Sequence, residues 1–441
     1  MKVLKFGGTS MANADAVKRA ADIAAADPDN KFVVVSAPGK RDPADVKVTD
    51  LLYACYNEKL KTGACGKSFA AVEKRFNDII AGLNLRLDIS GRLERIKREI
   101  DAGAGKDYAA SRGEYLCAVL VAAYLDREFI DAADLIKFDA RGNFCDELTN
   151  AAAAKILAKS DGAVIPGFYG VKPDGAVKTF TRGGSDVTGS IIARAVRAEV
   201  YENWTDVDGF LVCDPRIVND AKLIPMLTYK ELRELSYMGA NVLHSDCIFP
   251  VRKSDIPIRI RNTFNPGAEG TLIVPTKKFL SGEFGRPDSV ITGIAGRKDF
   301  AAIHIEKSLM NNELGFARRV LSVLERRNIS VEHMPSGIDT LSPVVDGADI
   351  DPEVLRLAAA EIRSECGADN VETVEGLALI AVVGHGMSRK RGTAARVFAA
   401  LSAAGINIRM IDQGSSELNL IVAVENGDYE NAVKSLYRAF F

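Results

Sequence analysis

Arg182, Gly183, Gly184, Ser185 and Asp186 occupy consecutive positions in FTRGGSDVTGS (180–190), just ahead of a helical pattern. Two readings of that set are open. As plain structure, the glycines make a turn, Ser185 or Asp186 caps a helix and Arg182 points at water. As chemistry, backbone N–H groups and a fixed cation meet an anion at a helix N-terminus. A second glycine turn, KFGGTS (5–10), follows the first apolar run; Gly7 and Gly8 let backbone N–H groups approach a phosphate, and Lys5 adds a point charge. Its alternative is a strand-to-helix turn capped by Thr9 and Ser10. SAPGK (36–40), PGFYG (166–170) and WTDVDG (204–209) close further runs. In a parallel sheet such turns gather at the carboxyl ends of the strands, where ligands bind. Two look-alikes are excluded. GACGKS (63–68) has two residues between its glycines where a Walker loop has four, and DVDG (206–209) lacks the ligands of a calcium loop.

Positioning those turns requires a sheet. VLKF (3–6), FVVVS (32–36), DLIKF (134–138), AVIPGF (163–168), VKTF (177–180), VYENW (200–204) and IPIRI (256–260) read as strands, with helices over 13–25, 107–129, 186–198 and 228–238. Continuous apolar strands separated by helices predict an α/β domain over 1–285, with a mostly parallel sheet between helix layers. The polar stretch KKFLSGEFGRPDS ends that pattern. Beyond it, LGFARRVLSVLERRNISVEHMPSG (314–337) superposes without a gap on RGTAARVFAALSAAGINIRMIDQG (391–414). Each copy reads as loop, amphipathic helix, then strand, which predicts two α+β modules over 286–372 and 373–441.

Bulk properties narrow the partners. A chain of 441 residues with 47% hydrophobic content builds several cores. A formal charge of −2 gives no electrostatic case for nucleic acid. Seven cysteines without a C-x-x-C pair or a cluster with the four histidines argue against a disulfide framework and a zinc site. The N-terminus lacks the apolar core of a signal peptide, and no run has the length of a membrane span, so a cytoplasmic protein acting on small molecules is expected.

KFGGTS, SAPGK with KVTDLL (47–52), SRGE (111–114), FTRGGSDVTGS, WTDVDG with DPR (214–216) and MGANVLH (238–244) stand in the order found in aspartate kinases of the amino-acid kinase superfamily. The repeated C-terminal modules resemble the paired ACT domains of those enzymes, and the likeness is to the monofunctional type. The resemblance implies ATP- and Mg²⁺-dependent phosphorylation of the aspartate side chain to 4-phospho-L-aspartate, the first step toward lysine, threonine and methionine. By motif, Lys5 is similar to the lysine on the ATP phosphates, and Gly7 and Gly8 shape that loop. Ser36, Thr49, Glu114, Arg182 and Ser185 match positions around aspartate. Asp186 matches the aspartate beside the transferred phosphoryl group. Thr205, Asp206 and Arg216 match nucleotide-binding positions, and no residue is assigned as a direct metal ligand. Met310, Glu332 and Ser336 match effector positions of lysine-sensitive relatives, whereas Phe316 reads as core. Asn241 departs from the pattern, because many relatives carry lysine there. The resemblance further implies a homodimer formed through the ACT modules and feedback inhibition by lysine, threonine or both.

Overall fold

The computed structural model describes residues 1–181, 183–240, 243, 245–285 and 289–441. It divides into two units, one holding 1–210 with 225–229 and 243–285, the other 211–224, 230–240 and 289–441.

In the first unit the apolar runs pair as β1 (Lys2–Phe6), β2 (Asn30–Val35), β3 (Glu128–Phe129) and β4 (Ala163–Pro166). A separate hairpin holds β5 (Tyr169–Val171) and β6 (Val177–Thr179). The main sheet continues with β7 (Val200–Thr205), β8 (Met226–Thr228), β9 (Ile258–Asn262) and β10 (Thr271–Val274). Its order is β3-β4-β2-β1-β7-β9-β10-β8, parallel throughout except for β9 with β10. The mostly parallel sheet expected from continuous apolar strands is therefore present. Side chains alternate across it. Leu4, Phe6, Val33, Val35, Val164 and Trp204 share one core with residues such as Leu52, Phe69, Phe76 and Leu116 from the helices Val48–Thr62, Gly66–Gly82 and Lys106–Leu125. Lys5, Val34, Ile165 and Asn203, one residue out of phase and in mutual register, point to the opposite face.

Two strand expectations change. DLIKF does not extend: 132–135 is a short helix, which Asp131 caps by accepting from the Ala133 N–H at 3.0 Å. Lys137 and Phe138 make isolated bridges only. VKTF is a strand, but it pairs antiparallel in the hairpin rather than in the main sheet.

The second unit contains β11 (Gly293–Glu306), β12 (Thr340–Leu341), β13 (Val344–Asp346), β14 (Asn370–Val383), β15 (Met410–Asp412) and β16 (Asn419–Glu425) in one antiparallel sheet. The two repeat copies supply its helices Phe316–Arg326 and Thr393–Ala403. Gly315 and Gly392, aligned in the repeat, both take left-handed φ, +76° and +85°. Val320 and Leu324 in one copy, Val397 and Leu401 in the other, are fully buried in two separate cores. The strand expected after each helix forms in the second copy as β15. In the first copy only bridges at His333 and Ser336 occur, and Pro335 between them has no N–H to donate.

β11 and β14 are each 14 residues long and run through both cores. Gly293–Arg297 pairs with Leu379–Val383 beside the second copy's core, and after a bulge Phe300–Glu306 pairs with Asn370–Leu377 beside the first. Among the described residues, no helix is long and apolar enough to cross a membrane.

Candidate functional site

Parallel register brings the strand ends together. Phe6 lies opposite Val35 on one side and Trp204 on the other, and Val35 opposite Pro166. Gly7, Ser36, Gly167 and Thr205, each the next residue or the last of its strand, therefore meet on one rim. The Gly7 N–H donates to the Trp204 carbonyl at 3.0 Å, the Ser36 N–H to Phe6 at 3.1 Å and the Gly167 N–H to Val35 at 2.9 Å. Ser36 is half-buried there.

Close backbone contacts explain the glycines. A methyl on Gly39 would lie 2.6 Å from the Gly8 carbonyl carbon and 2.9 Å from the Thr9 nitrogen, where backbone cannot yield. One on Gly167 would lie 2.8 Å from the Ser185 Cα, so the loop after β4 rests directly on the start of the helix Gly184–Ala195. One on Gly184 would lie 2.9 Å from the Cα of Phe168, which itself adopts φ of +81°. Gly39→Ala is expected to wedge the two loops apart and cost at least about tenfold in kcat/KM with a folded protein. Steady-state rates read this directly, and a variant as efficient as the wild type would contradict it.

Asp186 sits in the first turn of that helix, and its Oδ1 lies 2.6 Å from Lys5 Nζ. Lys5 is 7% exposed. Asn203, buried and opposite Lys5 in the ladder, joins them: its amide accepts from Lys5 at 3.3 Å and donates to Asp186 Oδ1 at 2.8 Å. Sequence reading took Asn203 as an ordinary strand residue. The signal that could have found it is the alternation that puts every second residue of β1 and β7 on one face. Ser185 is buried beside Gly167. Arg182 and Asn241 lie outside the described residues. Thr205 and Asp206 follow β7; the Asp206 carboxylate accepts from the hydroxyls of Thr205 at 3.2 Å and Thr9 at 3.0 Å, tying this loop to the one after β1.

Glu114 reaches the rim from the helix Lys106–Leu125. Its neighbour Gly113 allows the approach, since a methyl there would come within 2.7 Å of the Ala37 Cβ. Burial pushes the Glu114 carboxyl up to about 8, against the opposing effects of a backbone hydrogen bond from Ala37 and the nearby Arg112 charge. Its Oε2 is buried without a hydrogen-bond partner. Thr49, half-buried, is the second residue of the helix Val48–Thr62, whose first N–H donates to the Pro38 carbonyl at 3.0 Å. The loop between is clamped by buried Arg75, which donates to the Gly39 carbonyl at 2.9 Å and the Asp45 carboxylate at 2.7 Å. Asp45 is held well below the usual carboxylate range by its bonds to Arg41 and, secondarily, by the Arg75 charge.

The remaining candidates belong to the second unit. Arg216 is exposed and forks onto the Asp214 carboxylate at 2.6 and 3.0 Å. Met310 opens a short 3-10 helix and packs against the first copy's core, into which Phe316 is buried. Ser336 is exposed. Glu332 accepts from the Tyr237 hydroxyl; burial and then the Asp346 charge raise its carboxyl. Its neighbour His333 faces Asp412 of the second copy at 3.0 Å.

The rim thus offers a buried cation, two glycine loops with close backbone, a helix N-terminus and a buried carboxylate with a spare oxygen. Such a set can hold a polyanion beside a small zwitterion. Among the described residues no three His, Cys, Asp or Glu side chains gather as a metal cage.

Comparison with known proteins agrees with this chemistry. Residues 1–262 match the model of the amino acid kinase family, and 380–440 that of the ACT domain. Aspartokinase 3 of Bacillus subtilis (strain 168) is 39% identical over 458 residues, covering 100% of this chain and 99% of the relative. The crystal structure of Clostridium acetobutylicum aspartate kinase superposes with a TM-score of 0.94 at 48% identity, with 100% of each chain covered. Escherichia coli aspartokinase III, solved with aspartate and ADP (R-state) and with lysine and aspartate (T-state), gives TM-scores of 0.73 and 0.74 at 28% identity, over 100% of this chain and 100% and 99% of those chains. A lysine-bearing rim on a parallel sheet, tandem ACT-like copies and full-length likeness converge: the chain belongs to the aspartokinases, the aspartate kinases of the amino acid kinase family.

Proposed function

We propose that this aspartate kinase transfers the γ-phosphoryl group of ATP to the side-chain carboxylate of L-aspartate, giving 4-phospho-L-aspartate on the way to lysine, threonine and methionine. The observation that carries the reading is the buried Glu114 carboxylate, with one oxygen unpartnered, on the same rim as the buried Lys5. Glu114 suits the substrate ammonium, and Arg182, by its motif, a carboxylate. Ser36, Thr49 and Ser185 border the acceptor, while Thr205, Asp206 and the glycine loop serve the nucleotide. Arg216 belongs to the nucleotide side by motif alone.

The accepting carboxylate has a reference pKa near 4 and is already ionised at neutral pH, so no general base is needed. Two anions have to meet, and the demand is positioning and neutralisation. Lys5 supplies fixed positive charge, and Asp186 holds its ammonium rather than removing a proton. The carboxylates of Asp186 and Asp206 fit a water-rich Mg²⁺ carried by the phosphates. When bound, that ion neutralises charge on the β- and γ-phosphoryl oxygens.

Hydroxylamine trapping tests the product: ATP-dependent hydroxamate is expected from aspartate and none from glutamate. Equal yield from glutamate would overturn the assigned acceptor.

The ACT-like copies fit feedback inhibition by an end-product amino acid within a cytoplasmic homodimer, and the E. coli enzyme solved with lysine supports lysine as one such ligand. Exposed Leu309, Leu314 and Ile338 in the first copy supply apolar surface for a second subunit. Inhibition requires a ligand with different affinity for two states. Initial rates with lysine, threonine and both together are expected to fall for at least one. An unchanged rate in all three would leave the copies as dimerisation devices.

A further inference from the structure

We propose that Asn203 is a positioning residue for phosphoryl transfer, acting through Lys5 and Asp186 and not on the substrates; this rests on the kinase reading above. An ammonium is a compact charge on a flexible four-carbon stem, and one carboxylate at 2.6 Å fixes its distance but not its direction. The Asn203 amide supplies the second constraint. Its oxygen accepts from Lys5 at 3.3 Å while its nitrogen donates at 2.8 Å to the same Asp186 oxygen that Lys5 engages, so the three side chains close a ring. Two of the three ammonium N–H groups are then directed, and the third is left for a ligand oxygen.

The ring is anchored on both sides. Lys5 and Asn203 are direct partners in the parallel ladder, so their separation is set by backbone. Two residues back on the same face of β7, the Tyr201 hydroxyl donates to the Asp186 carbonyl at 3.2 Å, pinning the first turn of the helix that carries Asp186. Gly189 permits that contact: a methyl there would lie 2.6 Å from the Tyr201 ring. Asn203 is 3% exposed, whereas the Asp186 side chain is 20% exposed with its Oδ2 beside Gly183, so the amide is the buried end of the ring and the carboxylate its open end.

The test is a mutant cycle read by hydroxamate formation, with thermal unfolding of every protein. Asn203→Leu is expected to lower kcat about 30-fold, with KM for ATP and for aspartate within about threefold of wild type. On a Lys5→Ala background the same change is expected to cost less than about twofold, because the residue it aims is gone. Asn203→Asp, similar in size, keeps the acceptor but loses the donor and adds negative charge; it is expected to lose at least as much, and it serves if the leucine variant does not fold. A normal kcat with only a lower melting temperature would make Asn203 a packing residue. A raised KM for ATP at normal kcat would make it a nucleotide ligand, and a full loss repeated on Lys5→Ala would separate it from Lys5. Each of these overturns the proposal alone, whereas a wild type inactive on aspartate would overturn the kinase reading and this one with it.

Discussion

Lys5→Ala is expected to lower kcat by about three orders of magnitude in a protein that still folds. In the proposed reaction the transferred group and its acceptor are both anionic, and Lys5 is a buried cation beside the glycine loop of the rim. Without it, the fixed positive charge beside Asp186 is lost, and neutralisation of the triphosphate falls to Mg²⁺. The fold survives because the neighbouring structure is apolar sheet and helix: Leu4 and Phe6, on the other face of β1, stay in their core. Asp186 keeps its bond from Asn203 and is one-fifth exposed, so its charge is not stranded. Circular dichroism and thermal melting check the fold, and hydroxamate formation checks turnover. Turnover within about tenfold of wild type would remove Lys5 from the mechanism.

Glu114→Gln should separate binding from stability. A neutral amide cannot pair with the aspartate ammonium, and KM for aspartate is expected to rise about 100-fold or more. The unliganded protein should move the other way. The Glu114 carboxyl is raised from an ordinary 4.5 to about 8, first by burial. Below the lower value it is protonated in both folded and unfolded chains. Between the two values the folded chain keeps a proton that the unfolded chain has released. Stability from this group is therefore complete in acid, falls as pH rises through that window and is lost above about 8; each unit of the shift corresponds to about 1.4 kcal/mol. At pH 9, Glu114→Gln without ligand is expected to melt at a higher temperature than wild type, while binding aspartate far more weakly. The same proton opposes the substrate, so aspartate affinity of the wild type should rise with pH up to about 8, and that of the variant should not. Isothermal titration at several pH values gives both. A variant that binds aspartate as tightly as wild type would show that Glu114 does not meet the ammonium.

Local signals pointed to part of the candidate site. Adjacent glycines and charges at a strand end or a helix start, as at Lys5, Gly7, Gly8 and Asp186, also serve as plain turns and caps, and it was the ordered set of motifs that assigned them roles. The sheet was visible because strands buried on both faces are continuously apolar. What stayed hidden was non-local. Asn203 gains its position from a ladder partner 198 residues away, and its chain neighbour Glu202 points to the other face of the sheet, so the local sequence does not reveal the Lys5–Asp186 pair. Gly39 and Gly113 look like ordinary glycines until another backbone or helix is laid against them. At 134–138 the apolar content suggested a strand, but the cap at Asp131 starts a helix instead. The repeat disclosed two similar copies through its helices. It could not disclose how they are joined, since the strand Gly293–Arg297, which completes the second core, precedes the first copy in the chain.

That interleaving means the C-terminal third cannot be divided at any point without damage. A fragment starting at residue 373 would carry away Leu379–Val383 but abandon the strand that covers its flank, baring a hydrophobic edge that invites aggregation. The two halves share β11 and β14 as common framework, so a cut that frees one core removes a wall of the other.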